Sequence, residues 1–323
     1  MPGDVIYNAL VHLGNPTNLW PPTLTTGATT AWLHAMWSPR GLPQVLVLTV
    51  AYFLLVVGLI SLMEGNPNWK PNTKFLAVGH NLGLSVLSAW MFVGGTRQFL
   101  QNWWRFGGWE NSLTWCDDQN HLAMGMEPYY YYFFVSKFLE YIDSVFLILN
   151  RKYSLSVGFS LQVYHHSTTA SIAWVAFWGQ IPSSYIGLLS NCCVHVVMYL
   201  YFALVSMDRD LRQYGHWVTK LQLLQFYIVF ACSLYWLVWK RNECWSLGAV
   251  YVIVMYTSYL IFFLVFDQAR KAAMRRSKWG KGNAAASPDA GRPSDQGGGL
   301  ASFIPPCVQT VDAQHGPAAK KNK

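Results

Sequence analysis

Charge is scarce in this chain. Only 12% of its 323 residues are Asp, Glu, Lys or Arg, while 53% are hydrophobic; soluble domains carry roughly 25% charged residues. That shortage excludes a water-facing exterior over most of the length. Cysteine is sparse as well. The six present form no CxxC and no Cys/His ligand spacing, which speaks against a zinc module. No HxxxH pair occurs. A di-iron membrane oxygenase needs many imidazoles or carboxylates around two metals, so no metal site is expected. The segment Leu247–Phe266 has no lysine, which leaves a retinal protein without its anchor. The chain also has no internal repeat, a feature transporters often show. The first 40 residues contain no basic-plus-apolar leader, so no cleaved signal peptide is expected.

What is present is apolar length. Seven stretches approach the roughly 20 residues that a bilayer core demands: Leu42–Met63, Phe75–Val93, Pro128–Leu149, Ser160–Trp178, Tyr185–Ser206, Leu221–Trp239 and Leu247–Phe266. They predict an all-α polytopic membrane protein with seven transmembrane helices, the first serving as the insertion signal. The formal charge of +8 follows this topology and does not point to nucleic acid. With the C-terminus cytosolic, only Arg40, Arg97, Arg105, Lys240 and Arg241 fall on the opposite side, as the positive-inside rule requires. An odd number of spans then places the N-terminus outside, and membrane lipid is the surrounding partner.

Three regions follow: an N-terminal non-cytosolic segment 1–41, a seven-helix domain 42–268, and a basic cytosolic tail 269–323. The tail is rich in Arg, Lys, Gly, Ser, Ala and Pro and lacks the apolar surface to offset its ordering entropy, so disorder is expected. It ends Lys320-Lys321-Asn322-Lys323, resembling the dilysine retrieval signal of endoplasmic-reticulum membrane proteins, an address and not an anchor. Residues 94–127 form the longest connection, and its Trp103, Trp104, Trp109 and Trp115 suit a segment lying against headgroups. Cys116 and Cys244 both fall on the non-cytosolic side. In an oxidising lumen they either pair as a disulfide or stand as free thiols. Cys192 and Cys193, mid-span, read as packing residues.

Ionisable groups inside a membrane span are functional-site hypotheses by default. Here Lys137, Glu140 and Asp143 lie in span three, His165 and His166 in span four, and His195 in span five. At about 1.5 Å per residue, Asp143 lies roughly 9 Å, His165 about 7 Å and His195 roughly 15 Å from the cytosolic span ends. Gln222 and Gln225 start span six at the same face. Lys137, Glu140, Asp143 and Ser144 form one helical stripe, and Gln162 precedes the two histidines by three and four residues. Polar groups of four spans therefore share the cytosolic half. Interhelical hydrogen bonding is the plainer alternative for any one of them.

These residues also resemble the motifs of the ELO family, the membrane-embedded fatty-acyl elongases of the endoplasmic reticulum. Its KxxExxDT box is similar to Lys137-Phe-Leu-Glu140-Tyr-Ile-Asp143-Ser144, and its HxxHH box to Gln162-Val-Tyr-His165-His166. Its HxxMYxYY box is similar to His195-Val-Val-Met198-Tyr199-Leu-Tyr201-Phe202, preceded by Asn191, and its TxxQxxQ box to Thr219-Lys-Leu-Gln222-Leu-Leu-Gln225. Four boxes stand in order on consecutive spans. Three positions depart: Ser144 keeps a hydroxyl where the family has Thr, Phe202 loses one, and Gln162 replaces an imidazole. The Gln-bearing histidine box resembles the microbial and algal branch acting on polyunsaturated chains. Elongation of saturated or monounsaturated very-long-chain acyl-CoA is the alternative substrate class.

The resemblance implies six of seven helices enclosing an acyl tunnel, and condensation of a long-chain acyl-CoA with malonyl-CoA to 3-oxoacyl-CoA, CO2 and CoA. No cofactor beyond these substrates is expected. His165 would take the acyl group as nucleophile, dividing one hard step into two. His195 would either stabilise the carbanion left by decarboxylation or position the thioester carbonyl. His166 would hold the His165 tautomer or stabilise oxyanion charge. Glu140 and Asp143 would set imidazole protonation, and Lys137 would neutralise a carboxylate. Asn191, Met198, Tyr199, Gln222 and Gln225 would line the substrate. At the cytosolic mouth Arg151, Lys152, Arg209, Arg212 and Lys220 either hold CoA phosphates or only follow the positive-inside rule. A homodimer and other elongation-cycle enzymes are the expected protein partners. A seven-helix receptor or transporter is the alternative from another class.

Overall fold

The computed structural model describes residues 40–105, 125–153, 157–178, 181, 184–207, 211–239 and 247–285. The described residues form eight α-helices and one short 3-10 turn, Arg212–Tyr214, with no strand among them. In chain order they are α1 Leu42–Gly65, α2 Lys74–Arg105, α3 Glu127–Leu139, α4 Tyr141–Leu149, α5 Val157–Trp178, α6 Ser184–Ser206, α7 Gly215–Trp239 and α8 Leu247–Ala285. Pro43 and Pro128 sit in the first turns of α1 and α3, where a missing N–H costs nothing.

All seven expected spans are helical, with three differences. Span three is two helices, because Glu140 adopts ψ −18 and the Asp143 N–H donates to the Glu140 carbonyl at 3.1 Å. This local 3-10 tightening marks the centre of the polar stripe. Span two runs on through Arg105, so Trp103 and Trp104 belong to a helix and not to a surface loop. Span seven continues past residue 268 to Ala285, so the expected tail boundary falls inside a helix. Asp267 accounts for part of that extension by pairing with Arg270 at 2.7 Å and with Lys271 one turn on, pairs that support helices.

Packing closes a ring. Helix α2 packs on α6, α6 on α7, α7 on α8, α8 on α5, α5 on α3, and α3 returns to α2. Helix α1 stands outside against α4 and α5, exposing Leu46, Val47, Val50, Leu54 and Val57. Such an apolar outer face suits lipid. Five spans are long and apolar enough to cross a membrane by length and composition alone. Of the other two, α3–α4 is divided into helices of 13 and 9 residues, and α5 carries the paired histidines, which lower its hydropathy.

Two glycines let α2 approach both of its neighbours closely. A Cβ on Gly94 would lie 2.4 Å from the Tyr129 hydroxyl of α3, and one on Gly95 would lie 2.8 Å from Leu189 of α6. Helix α2 therefore presses against both neighbours where only hydrogen atoms fit. The neighbouring helices α5 and α8 are joined by three hydroxyl pairs: Tyr164–Ser258 at 2.7 Å, Thr168–Tyr259 at 2.5 Å and Ser171–Tyr251 at 2.7 Å.

Candidate active site

Glu140 is the centre of the ring's polar interior. Its Oε1 accepts from Lys137 Nζ at 2.8 Å and from Ser136 Oγ at 3.3 Å. The same oxygen lies 3.5 Å from His195 Nδ1 of α6, and Oε2 lies 3.7 Å from His166 Nδ1 of α5. Three walls of the ring thus meet at one carboxylate that is 1% exposed. Lys137, 2% exposed, also donates to Asn191 Oδ1 at 3.0 Å, and Asn191 donates to Gln225 Oε1 at 3.5 Å. An ammonium beside the carboxylate supplies the opposite charge that a buried ion requires.

Asp143 organises the second half. One carboxylate oxygen pairs with His80 Nε2 at 2.9 Å, and the other accepts from the Tyr199 hydroxyl at 2.8 Å. His166 Nε2 lies 3.9 Å from that second oxygen. His166 therefore lies between the two carboxylates of the stripe, beyond hydrogen-bond distance of both. Gln162 completes its surroundings at 2.6 Å from Nε2. When the amide N–H donates there, the imidazole proton resides on Nδ1 and faces Glu140. Replacing Gln162 with His is expected to leave condensation measurable, since a second imidazole can also donate to Nε2. Gln162→Leu removes the donor and should lower turnover by about 10-fold or more, the usual scale for a lost orienting partner. Malonyl incorporation by the two variants, compared side by side, checks this.

His165 points elsewhere, as adjacent helical positions must. Its ring lies 5.5 Å from that of His166 at an interplanar angle of 89° and faces Tyr259 of α8 at 5.0 Å. Phe226 of α7 and Phe263 of α8 stand at 6.3 and 6.4 Å. The inward group thus has two environments, a charged one for His166 and His195 and an aromatic one for His165.

The structure therefore brings together His165, His166, His195, Asp143, Glu140, Lys137, Gln162, Asn191, Tyr199 and Gln225. Gln222 donates to the Met198 sulfur at 3.1 Å, placing this pair between α7 and α6. Two residues of the interior escaped the sequence reading. Ser136 stands four residues before Glu140 on the same stripe, a spacing that was available. His80 stood alone in span two, and only the packing of α2 connects it to Asp143.

The mouth cations divide. Arg151 adopts φ 55, the left-handed residue of a Schellman close to α4, with its own N–H on Ile148 and the Lys152 N–H on Leu147. Its guanidinium donates to the carbonyls of Met63, Asn66 and Trp69, tying down the end of α1. Arg151 is thus engaged in holding the fold. Lys220 lies over the Trp217 ring at 4.3 Å. Arg212 falls in the 3-10 turn, and the described atoms do not include its side chain. Cys116, Cys244, Arg209, Lys320 and Lys321 lie outside the described residues. Cys192 and Cys193 are free thiols, the first buried in the core. The box departures also find their places. Ser144 uses its hydroxyl to pair with Tyr52 of α1 at 2.7 Å, whereas Phe202 is exposed, where a hydroxyl would have met lipid.

Imidazoles, carboxylates and amides enclosed by a ring of membrane helices define a polytopic membrane protein with a buried acid–base site. The particular class is given by comparison with known proteins. The chain belongs to the ELO: GNS1/SUR4 family, whose model matches residues 40–272, a stretch that contains every helix of the ring except the end of α8. It is 29% identical over 304 residues to very long chain fatty acid elongase 4 of Mus musculus, covering 87% of this chain and 88% of the mouse protein. It is 30% identical over 250 residues to very long chain fatty acid elongase 5 of Rattus norvegicus, covering 72% of this chain and 77% of the rat protein. Elongase 5 of Homo sapiens is 31% identical over 213 residues, covering 62% and 67% of the two chains.

Proposed function

We propose that this protein catalyses the condensing step of fatty-acid elongation, joining a long-chain polyunsaturated acyl-CoA to malonyl-CoA. The observation that carries the reading is the convergence of His166 and His195, from separate helices, on Glu140, with His165 adjacent in an aromatic wall. Family membership and relatives named as very long chain fatty acid elongases support the same reaction class.

In this reading a ring nitrogen of His165 attacks the thioester carbonyl. The new N–C bond replaces the C–S bond, and CoA leaves with the imidazole proton. Malonyl-CoA then loses CO2, and the bonding pair of the broken C–C bond becomes an enolate. The enolate carbon attacks the acyl carbonyl, the C–N bond breaks, and His165 regains a proton from solvent. His195 meets the second substrate, where its ring faces the developing negative charge. His166, held by Gln162 beside the two carboxylates, orients its neighbour. Arg212 and Lys220 at the mouth would receive CoA phosphates, whereas the Lys152 ammonium is buried, and no further cofactor enters the balance.

The acyl chain would extend inside the ring toward Tyr130, Phe133, Ala176, Gly187 and Tyr256, which line a cavity of about 40 Å³. That volume holds a few waters, so a bound chain must displace side chains. Membership of the polyunsaturated branch rests on Gln162 in the histidine box. The same reading places the protein in the endoplasmic-reticulum membrane, with Lys320 and Lys321 as a retrieval signal. A second copy and the enzymes that reduce and dehydrate a 3-oxoacyl product would be its partners.

The test is incorporation of labelled malonyl-CoA by purified protein given a panel of saturated, monounsaturated and polyunsaturated acyl-CoAs. Preferred extension of polyunsaturated chains is expected. Preference for saturated chains would move the substrate class to the alternative, and no incorporation with any chain would reject the enzyme.

A further inference from the structure

His80 lies on α2, the one ring element besides α8 that contributes none of the four boxes, yet its ring reaches the site. Its depth is matched to its partner: His80 is roughly 9 Å from the start of α2, and Asp143 is about 9 Å from the end of α4 at a helical rise per residue. Nε2 pairs with Asp143 Oδ1 at 2.9 Å, and Phe146 of α4 meets the imidazole edge-on at 5.5 Å. Tyr199 takes the other carboxylate oxygen from α6 at 2.8 Å. Asp143 is thus gripped from two walls. It is also the more exposed carboxylate of the pair, at 17% against 1% for Glu140. A carboxylate with access to water turns toward it unless held. Once held, its Oδ2 stays 3.9 Å from His166 Nε2.

From this geometry we infer that His80 is a positioning residue for condensation, fixing the Asp143 carboxylate against Tyr199 and His166. The inference rests on the elongase reading of the site. His80 touches neither substrate nor the reacting atoms; it acts through Asp143. Its loss therefore lowers the rate of the chemical step and leaves substrate affinity in place. Gln carries an N–H at the reach of imidazole Nε2 and should substitute for it.

The experiment uses the full chain in detergent, with malonyl incorporation as the assay and thermal unfolding as the control. His80→Leu is expected to lower kcat by about 10- to 100-fold, the scale of lost orienting partners, with the KM for both CoA esters unchanged. His80→Gln should recover most of the rate. In an Asp143→Asn background, His80→Leu should add about twofold or less, because residues acting through one contact are not additive. Unchanged kcat in His80→Leu, a full multiplicative loss in the double variant, or a loss that tracks a lowered Tm and is not recovered by Gln would each overturn the inference. Wild-type protein that consumes no malonyl-CoA would overturn the elongase reading and this assignment with it. Active wild type with unaffected His80→Leu would overturn this assignment alone.

Discussion

His165→Ala is expected to abolish condensation, with turnover falling by about a thousandfold or more, as when a nucleophile is removed. The fold should survive. His165 makes ring contacts with Tyr259, Phe226 and Phe263, while the polar interior is held by His166, Glu140, Lys137 and Asp143. Truncation therefore opens space beside aromatic rings and leaves no buried ion without its partner. Labelled malonyl incorporation measures the loss, and a thermal unfolding curve close to wild type shows that it is chemical. Intact-mass analysis adds a second readout: wild type incubated with acyl-CoA alone should carry the acyl group, and the variant should not. Turnover within tenfold of wild type would move the nucleophile elsewhere, with His195 next in line because it faces Glu140 from the opposite wall. His195→Ala would then lose the acyl adduct that His165→Ala retained.

Much of this site could be read from the order of residues because a membrane imposes a ruler. Helical rise fixed the depth of Asp143, His165 and His195, and the 3.6-residue period put Lys137, Glu140 and Asp143 on one face. The second statement holds in the structure, where Lys137 donates to Glu140 and both stripe carboxylates face His166. Spans followed from apolar length, and five satisfy that criterion individually. Lateral neighbours did not follow, since a depth says nothing of which helix stands beside which. His80 shares a depth with Asp143, yet the other five spans reach the same level. The pairing is the 2.9 Å contact of His80 Nε2 with Asp143 Oδ1, and nothing in the order of residues selects it. The break at Glu140 was hidden as well, because a ψ near −18 leaves the stripe on the same face. Arg151 shows the opposite limit. A cation near a mouth reads as a phosphate ligand, but a left-handed backbone directs this one to three carbonyls at the end of α1.

The second large effect concerns the buried pair of Lys137 and Glu140, 2.8 Å apart. Glu140→Gln removes the negative charge and leaves an ammonium that is 2% exposed, so the protein should lose about 3–5 kcal/mol of stability, the cost of orphaning one partner of a buried ion pair. Lys137→Met should also cost stability, because it leaves the Glu140 carboxylate, 1% exposed, without its ammonium. The double variant Lys137→Met with Glu140→Gln contains no buried ion at this position. It is expected to recover thermal stability to within about 1–2 kcal/mol of wild type, since paired apolar or neutral replacements of buried ions are often tolerated. It should not recover condensation. Glu140 Oε1 and Oε2 lie 3.5 and 3.7 Å from Nδ1 of His195 and His166, and an amide replaces the negative charge beside both rings with a neutral group. Unfolding curves and malonyl incorporation, measured on all three variants, separate the two roles. A double variant as unstable as Glu140→Gln would show that packing, and not charge, governs the loss. A stable and active double variant would remove Glu140 from the chemistry and leave Asp143 as the carboxylate beside His166.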